Sequence, residues 1–72
     1  MFIKFNVFGQ TMFVERKDNK WILFADSGSG KRIRVYDIII PSDLEENELA
    51  RYLADIYHES ANERFSSVVR LD

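Results

Sequence analysis

Apolar and polar side chains alternate through the first half of the chain, whereas apolar residues recur at helical spacing in the second half. The alternating segments are rich in Phe, Val, Ile and Trp and predict four β-strands over residues 2–8, 11–17, 20–25 and 32–36. The helical spacing predicts one amphipathic helix over residues 43–62. We therefore expect a single α+β domain, residues 1–72, in which a four-stranded antiparallel meander precedes a helix packed on one sheet face.

Short turns join the first three predicted strands. Gly9-Gln10 and Asp18-Asn19 are two-residue connections, and Gly, Asp and Asn tolerate the positive φ that tight hairpins need. A longer loop, residues 26–30, connects the third strand to the fourth. These connections predict an all-antiparallel meander.

The predicted turns also predict a register. Closing the hairpins sets Phe5 opposite Val14 and Val14 opposite Leu23, and we place Ile33 opposite Leu23. One face of the sheet then consists almost entirely of apolar side chains, namely Ile3, Phe5, Val7, Met12, Val14, Trp21, Leu23, Ala25, Ile33 and Val35. Arg16 is the charged exception on that face, and we expect its guanidinium to extend past Trp21 to solvent or to a carboxylate.

The start of the helix carries a capping signal. Ser42 as N-cap and Glu45 three residues later form the pattern of a capping box. One stripe of the helix is apolar and should cover the apolar sheet face; its members are Leu49, Tyr52, Leu53, Ile56 and Tyr57. Residues 65–71 form either a fifth strand at a sheet edge or a docked tail, and we prefer the strand.

Composition narrows the class of protein. The chain has 72 residues, a net charge of −2 and no cysteine. A secreted domain of this size usually carries disulfides, so we expect the reducing cytoplasm of a microbe. We expect neither a signal peptide nor a membrane-spanning segment, because the apolar run that ends at Pro41 is short.

Candidate chemistry is sparse. Residues 27–31 resemble a phosphate-binding loop, but the motif requires Gly at position 25 and Ser or Thr at position 32, which are Ala25 and Arg32. His58 is the only histidine and lies on the polar side of the predicted helix. A metal site needs several converging ligands, and a nucleophile needs a base. We therefore predict no catalytic residue, no metal site and no cofactor.

The outward face of the sheet is unusual because aromatic and basic residues share it. The predicted rows across the strands are Asn6, Phe13, Phe24 and Arg32; then Lys4, Glu15, Ile22 and Arg34; then Phe2, Lys17, Lys20 and Tyr36. A solvated face is normally polar, and an apolar patch of this extent is typical of an interface. The candidate binding residues are Phe13, Ile22, Phe24, Arg32, Arg34 and Tyr36.

Three interpretations of that face are open. The preferred one is a non-enzymatic interaction module whose partner is a second copy, in a face-to-face homodimer, or another protein. The alternative is a platform for single-stranded nucleic acid, with aromatics stacking bases and cations holding phosphates. The third is that sheet curvature or residues 65–71 cover the aromatics, which leaves no functional surface.

Three segments resemble a family of short bacterial proteins of unknown function. They are residues 5–9 (Phe-Asn-Val-Phe-Gly), Ile40-Pro41 before the helix, and residues 48–59 within it. The resemblance spans most of the chain. It implies a bacterial, cytoplasmic setting and no particular activity.

Overall fold

The computed structural model describes residues 2–60 and 67–71 and contains a five-stranded antiparallel sheet with one helix packed on it. The strands are β1 (Phe2–Val7), β2 (Gln10–Lys17), β3 (Lys20–Asp26), β4 (Arg32–Arg34) and β5 (Val68–Arg70), in the sheet order β4-β3-β2-β1-β5. The helix α1 (Leu49–Tyr57) lies between two 3₁₀ turns, Glu46–Glu48 and His58–Ser60. This confirms the predicted α+β class and the meander.

The first hairpin turns one residue earlier than predicted. Phe8 and Gly9 both have positive φ, 51° and 95°, and the flanking Val7 and Gln10 are paired. Gly9 donates its amide hydrogen to Asn6 Oδ1 at 2.7 Å. The aromatic residue tolerates this uncommon backbone conformation because the Phe8 ring is buried in the core, and ring burial offsets the conformational cost.

The early turn changes the register of the first strand pair. Phe5 lies opposite Met12, whereas the sequence predicted Val14 as its partner. The pairing of β3 with β4 is shifted in the same way, because Ile33 lies opposite Ala25 and not Leu23. Both shifts are of two residues. Since side chains alternate with a period of two, the residues within these strands keep their predicted faces. Phe8 is the exception, because it was predicted near the outward face and instead lies in the turn with its ring in the core.

The second hairpin follows the prediction. Asp18 and Asn19 have φ of 52° and 60°, and Val14 pairs with Leu23. Leu23 is buried toward the helix, while its neighbour Phe24 points to the opposite side and is half-buried. The assignment of strand faces is therefore confirmed on β3, which carries two of the six candidate binding residues, Ile22 and Phe24.

The core lies between the inner face of the sheet and α1. Its buried members are Ile3, Phe5, Val7, Phe8, Met12, Val14, Leu23, Ile40, Leu49 and Leu53. Ile33 was predicted to join them but is 57% exposed, because β4 forms the edge of the sheet and α1 packs on β1 and β5. Arg16 extends across Trp21, with Cζ 4.6 Å from the ring centroid, and donates to the Ser42 carbonyl at 2.9 Å.

The helical segment begins later than predicted. The capping box uses Glu45 and Glu48, not Ser42 and Glu45, and the Glu45 amide donates to Glu48 Oε1 at 3.4 Å. A turn closed by the Leu44 amide and the Pro41 carbonyl, 3.2 Å apart, occupies the first predicted helical residues. Of the predicted end, residues 61 and 62 lie outside the described residues. Within the described ranges, no helix has the length and apolar character needed to cross a bilayer.

The preferred fifth strand is confirmed over Val68–Arg70. It pairs antiparallel with β1, and Arg70 forms an ion pair with Glu46 at 2.8 Å, which joins the strand to the start of the helical segment. Both side chains are partly exposed, so the pair itself contributes little to stability. Residues 65 and 66 of the predicted strand lie outside the described residues.

Leu53→Ala tests the packing of the helix on the sheet. Leu53 is fully buried, so removing its side chain should lower the free energy of unfolding by about 2–5 kcal/mol. Chemical denaturation measures this loss. Asp55→Ala, an exposed change on the same helix, is the control, and a loss for Leu53→Ala as small as the control's would contradict the packing.

Candidate functional site

The outer sheet face is the side of the sheet opposite α1. Cross-strand pairing places its side chains in register across all five strands. They are Phe2, Lys4, Asn6, Thr11, Phe13, Glu15, Lys17, Lys20, Ile22, Phe24, Asp26, Arg32, Arg34 and Val69. In the described part of the chain, the only α-helix packs on the inner face, so no helix covers this surface.

Three phenylalanines form the centre of the outer sheet face. Phe2 contacts Phe13 and Phe24 edge to face, with ring centroids 6.3 and 5.5 Å away. The Arg32 guanidinium lies over two of these rings, 4.1 Å from the Phe2 centroid and 4.8 Å from that of Phe13. Cation–π contact therefore covers part of the cluster with a charged group that water can still reach.

The rows of the outer sheet face differ from the predicted ones. Lys4 faces Phe13, Phe13 faces Phe24, and Phe24 faces Arg34, so Arg34 takes the position expected for Arg32. The rows differ because the pairing of β1 with β2 and that of β3 with β4 are each shifted by two residues from the predicted register. Arg32 nevertheless reaches the aromatic cluster diagonally, because its long side chain extends past β3.

The six predicted site residues fall into two groups by exposure and contact. Phe13, Ile22 and Phe24 are half-buried, whereas Arg32, Arg34 and Tyr36 are exposed. Arg32 joins the central aromatic cluster, while Arg34 lies 4.7 Å from the ring of Tyr36 at the β4 edge. The most accessible apolar surface is thus at the edge of the sheet and not at its centre.

The chain departs from the sheet just beyond β4, which was not predicted from the sequence. The Val35 amide donates to the Leu23 carbonyl at 2.9 Å, and Ile40 pairs with Trp21. Between these two links, β3 has one residue, Ile22, whereas the other segment has four, residues 36–39, so these four residues form a bulge that leaves the ladder. The run of three isoleucines ending at residue 40 was the available signal, since it extends past the predicted strand end.

Three side-chain hydrogen bonds hold residues 39–44, the irregular segment that leads to the helix. The donors come from β2, β3 and α1, and each donates to a backbone carbonyl between residues 39 and 44. The pairs are Arg16 with Ser42 at 2.9 Å, Trp21 with Leu44 at 2.9 Å, and Tyr52 with Ile39 at 3.0 Å. A segment without regular secondary structure is therefore held in place at three points.

A groove of about 390 Å³ separates residues 36–39 from β3. Its lining includes Lys20, Ile22, Arg34, Tyr36, Ile38 and Ile39. The walls are mainly apolar, and the two cations among these residues are exposed. Small ligand sites have similar size and composition. The groove lies at the β4 edge of the sheet, where residues of both faces line it, and it shares Ile22, Arg34 and Tyr36 with the predicted site.

Charge is distributed unevenly over the molecule. The outer sheet face carries five cations, Lys4, Lys17, Lys20, Arg32 and Arg34, against two acids, Glu15 and Asp26, although the whole chain has a net charge of −2. The start of the helical segment is acidic, with Glu45, Glu46 and Glu48. The two sides of the domain are therefore oppositely charged, and ionic contacts at either side would weaken with salt.

The remaining candidate chemistry lacks the geometry of a site. His58 Nδ1 lies 2.9 Å from the Asp55 carbonyl oxygen, a local helical contact. Across residues 2–60 and 67–71, no three His, Cys, Asp or Glu side chains converge as a metal site would require. In the loop of residues 27–31, the Gly28 amide donates to Asp26 Oδ1 at 2.9 Å, so a carboxylate occupies a donor that a phosphate would need.

Burial raises the pKa of Tyr57, and the neighbouring Asp37 carboxylate raises it further. Both effects disfavour the phenolate, the first because a partly buried charge loses hydration and the second because like charges repel. Tyr57 on α1 is therefore near enough to Asp37 for the two groups to interact electrostatically.

Comparison with known proteins identifies a family. The model of a family described as "Domain of unknown function (DUF7661)" matches residues 2–72. No curated protein matches the chain, and no solved structure matches it.

The Tyr57 environment predicts a loss of stability in alkali. Because the folded-state pKa is raised, the phenol contributes stability that is complete below the unfolded value near pH 10 and is lost as pH rises through the folded pKa. Denaturation at a series of alkaline pH values should show a shallower decline for Tyr57→Phe than for wild type. Equal slopes for the two proteins would refute the assignment.

Proposed function

The chain belongs to the DUF7661 family, a domain of unknown function, and we propose that it is a non-enzymatic interaction module that pairs with a second copy of itself through the outer sheet face. The observation that supports this proposal is the one-sided coverage of the sheet. The described helix covers the inner face, while the outer one keeps a cluster of three phenylalanines, and Tyr36 is exposed just beyond β4 at its edge. Such a patch is typical of an interface.

A second copy suits this face because the face carries charges of both signs. In a two-fold arrangement, Arg32 or Arg34 of one copy can meet Glu15 or Asp26 of the other, while the aromatic clusters pack between them. A small domain also gains buried apolar area by pairing. A stable interface buries about 800 Å² per partner, roughly a sixth of the 5117 Å² surface of this domain.

We further propose that the module works in a reducing compartment, the cytoplasm of a bacterium. The proposal is supported by a sequence of 72 residues without cysteine, since small domains in oxidising compartments usually depend on disulfides.

A second candidate function is binding of single-stranded nucleic acid on the same face. Its support is the local excess of cations beside aromatic rings, the combination that holds phosphates and stacks bases. It ranks below self-association because the phenylalanines meet edge to face and Arg32 lies over two of the rings, so a base would have to displace the guanidinium.

Self-association predicts that the mass measured by sedimentation equilibrium rises from monomer toward dimer with concentration. Phe24→Glu puts a carboxylate in the centre of the outer sheet face and should weaken association at least tenfold, about 1.4 kcal/mol. Since Phe24 is half-buried, thermal unfolding must show that the variant is folded. Arg32→Glu, at an exposed position, provides an independent test.

Ile33→Glu is the matched control for the sedimentation test. It introduces the same charge on the neighbouring strand, but the Ile33 side chain is on the inner side of the sheet and 57% exposed. It should leave association unchanged. A monomeric wild type at every concentration would reject self-association.

Nucleic-acid binding predicts salt-sensitive affinity for single-stranded RNA, measured by fluorescence anisotropy. Each phosphate contact contributes about −0.7 to the slope of log affinity against log salt, so Arg32→Ala or Arg34→Ala should lower both the affinity and the slope. Arg51→Ala, at an exposed position on α1, is the control. Absence of binding at low salt would eliminate this function.

A further inference from the structure

The most exposed large apolar side chains in the described ranges lie on the bulge beyond β4. Ile39 is 83% exposed and Tyr36 is 75% exposed, whereas the phenylalanines at the centre of the outer sheet face are half-buried. Removing these two side chains from water would therefore gain more than covering the central cluster.

The bulge and the groove beside it have complementary chemistry. Residues 36–39 present the two exposed apolar side chains with an exposed carboxylate, Asp37, between them. The groove has apolar walls, including Ile22, and the exposed cations Lys20 and Arg34. The groove is therefore suited to bind a segment with apolar side chains and a carboxylate, because its walls can bury the former and its cations can attract the latter.

The bulge cannot fill the groove of its own chain. Tyr36, Ile38 and Ile39 form one wall of that groove, and the wall is held by the hydrogen bond from the Tyr52 hydroxyl to the Ile39 carbonyl and by the pairing of Ile40 with Trp21. Tyr36 and Ile39 line this groove and are still largely exposed, so a second molecule that enters the groove can bury them. Because three tertiary hydrogen bonds hold residues 39–44, both surfaces exist before binding, which lowers the entropy cost of association.

We propose that residues 36–39 of each copy dock in the groove of the other copy, with Ile39 and Tyr36 against its apolar walls and Asp37 near Lys20 and Arg34. Bulge and groove are neighbours on one chain, so a single two-fold axis forms both contacts and the assembly closes as a dimer. This inference rests on the proposed self-association and specifies where it is centred. It joins the outer sheet face through Ile22, which lines the groove.

A reciprocal charge exchange tests this arrangement. Asp37→Arg reverses the charge of the bulge, and the double variant Lys20→Asp with Arg34→Asp reverses that of the groove. Each variant alone should lose self-association by at least about tenfold, because both contacts of its dimer then join like charges. An equimolar mixture should form a heterodimer with an affinity near that of wild type, because one contact is native and the other pairs the exchanged charges.

Sedimentation equilibrium and native mass spectrometry measure these species, after thermal unfolding has shown that every variant is folded. Asp55→Arg is the control, since it makes the same charge change at an exposed position on the helix. It should associate as wild type does.

The outcomes separate this inference from the proposed function. A wild-type dimer that all groove and bulge variants retain would overturn the inference and leave self-association standing, with the groove then assigned to a different ligand. Variants that are monomeric alone and remain so when mixed would also overturn it. A wild type that is monomeric at every concentration would overturn both.

Discussion

One helix can cover only one side of a five-stranded sheet, and the rest of this structure follows from that restriction. The inner face is a closed core in which Leu49 and Leu53 of α1 pack on fully buried strand residues such as Val14. The outer face has no comparable layer in the described ranges. Its apolar residues are instead covered by their neighbours, as when Phe2 and Phe13 pack edge to face beneath the Arg32 guanidinium. Long cationic side chains can do this because their stems are apolar while their charges stay hydrated.

The same restriction explains why the connection between sheet and helix is irregular yet held in place. The chain must leave the edge at β4 and return to a helix that lies over β1 and β5. Backbone carbonyls along this path lack regular partners, and donors from Arg16, Trp21 and Tyr52 satisfy three of them. Residues that appeared out of place in the sequence, above all the arginine on the apolar face, therefore position the groove wall.

Strand faces could be predicted from the sequence because an error of one residue at a turn moves the register by two and leaves each side chain on its side. The turn itself could not be located, because Phe8 adopts positive φ and turn preferences favour other residues there.

The cap was placed three residues early because both Ser42 and Glu45 have a glutamate three positions later. Tertiary bonds to the Ser42 and Leu44 carbonyls favour the later start. The groove depends on the pairing of Trp21 with Ile40, a contact that no local pattern encodes.

The position of the exposed apolar side chains, at the β4 edge of the sheet, also determines how another molecule can bind to them. An exposed edge strand risks open-ended pairing with other chains, and β4 limits that risk by being three residues long and carrying Arg32 and Arg34. Beyond it, residues 36–39 leave the sheet plane, so their backbone does not continue the ladder. Their exposed side chains can be buried by a second molecule without adding a strand. In the proposed dimer, the contact at this edge is made by side chains in a groove of limited size, and a two-fold arrangement that fills both grooves would leave no free site for further copies.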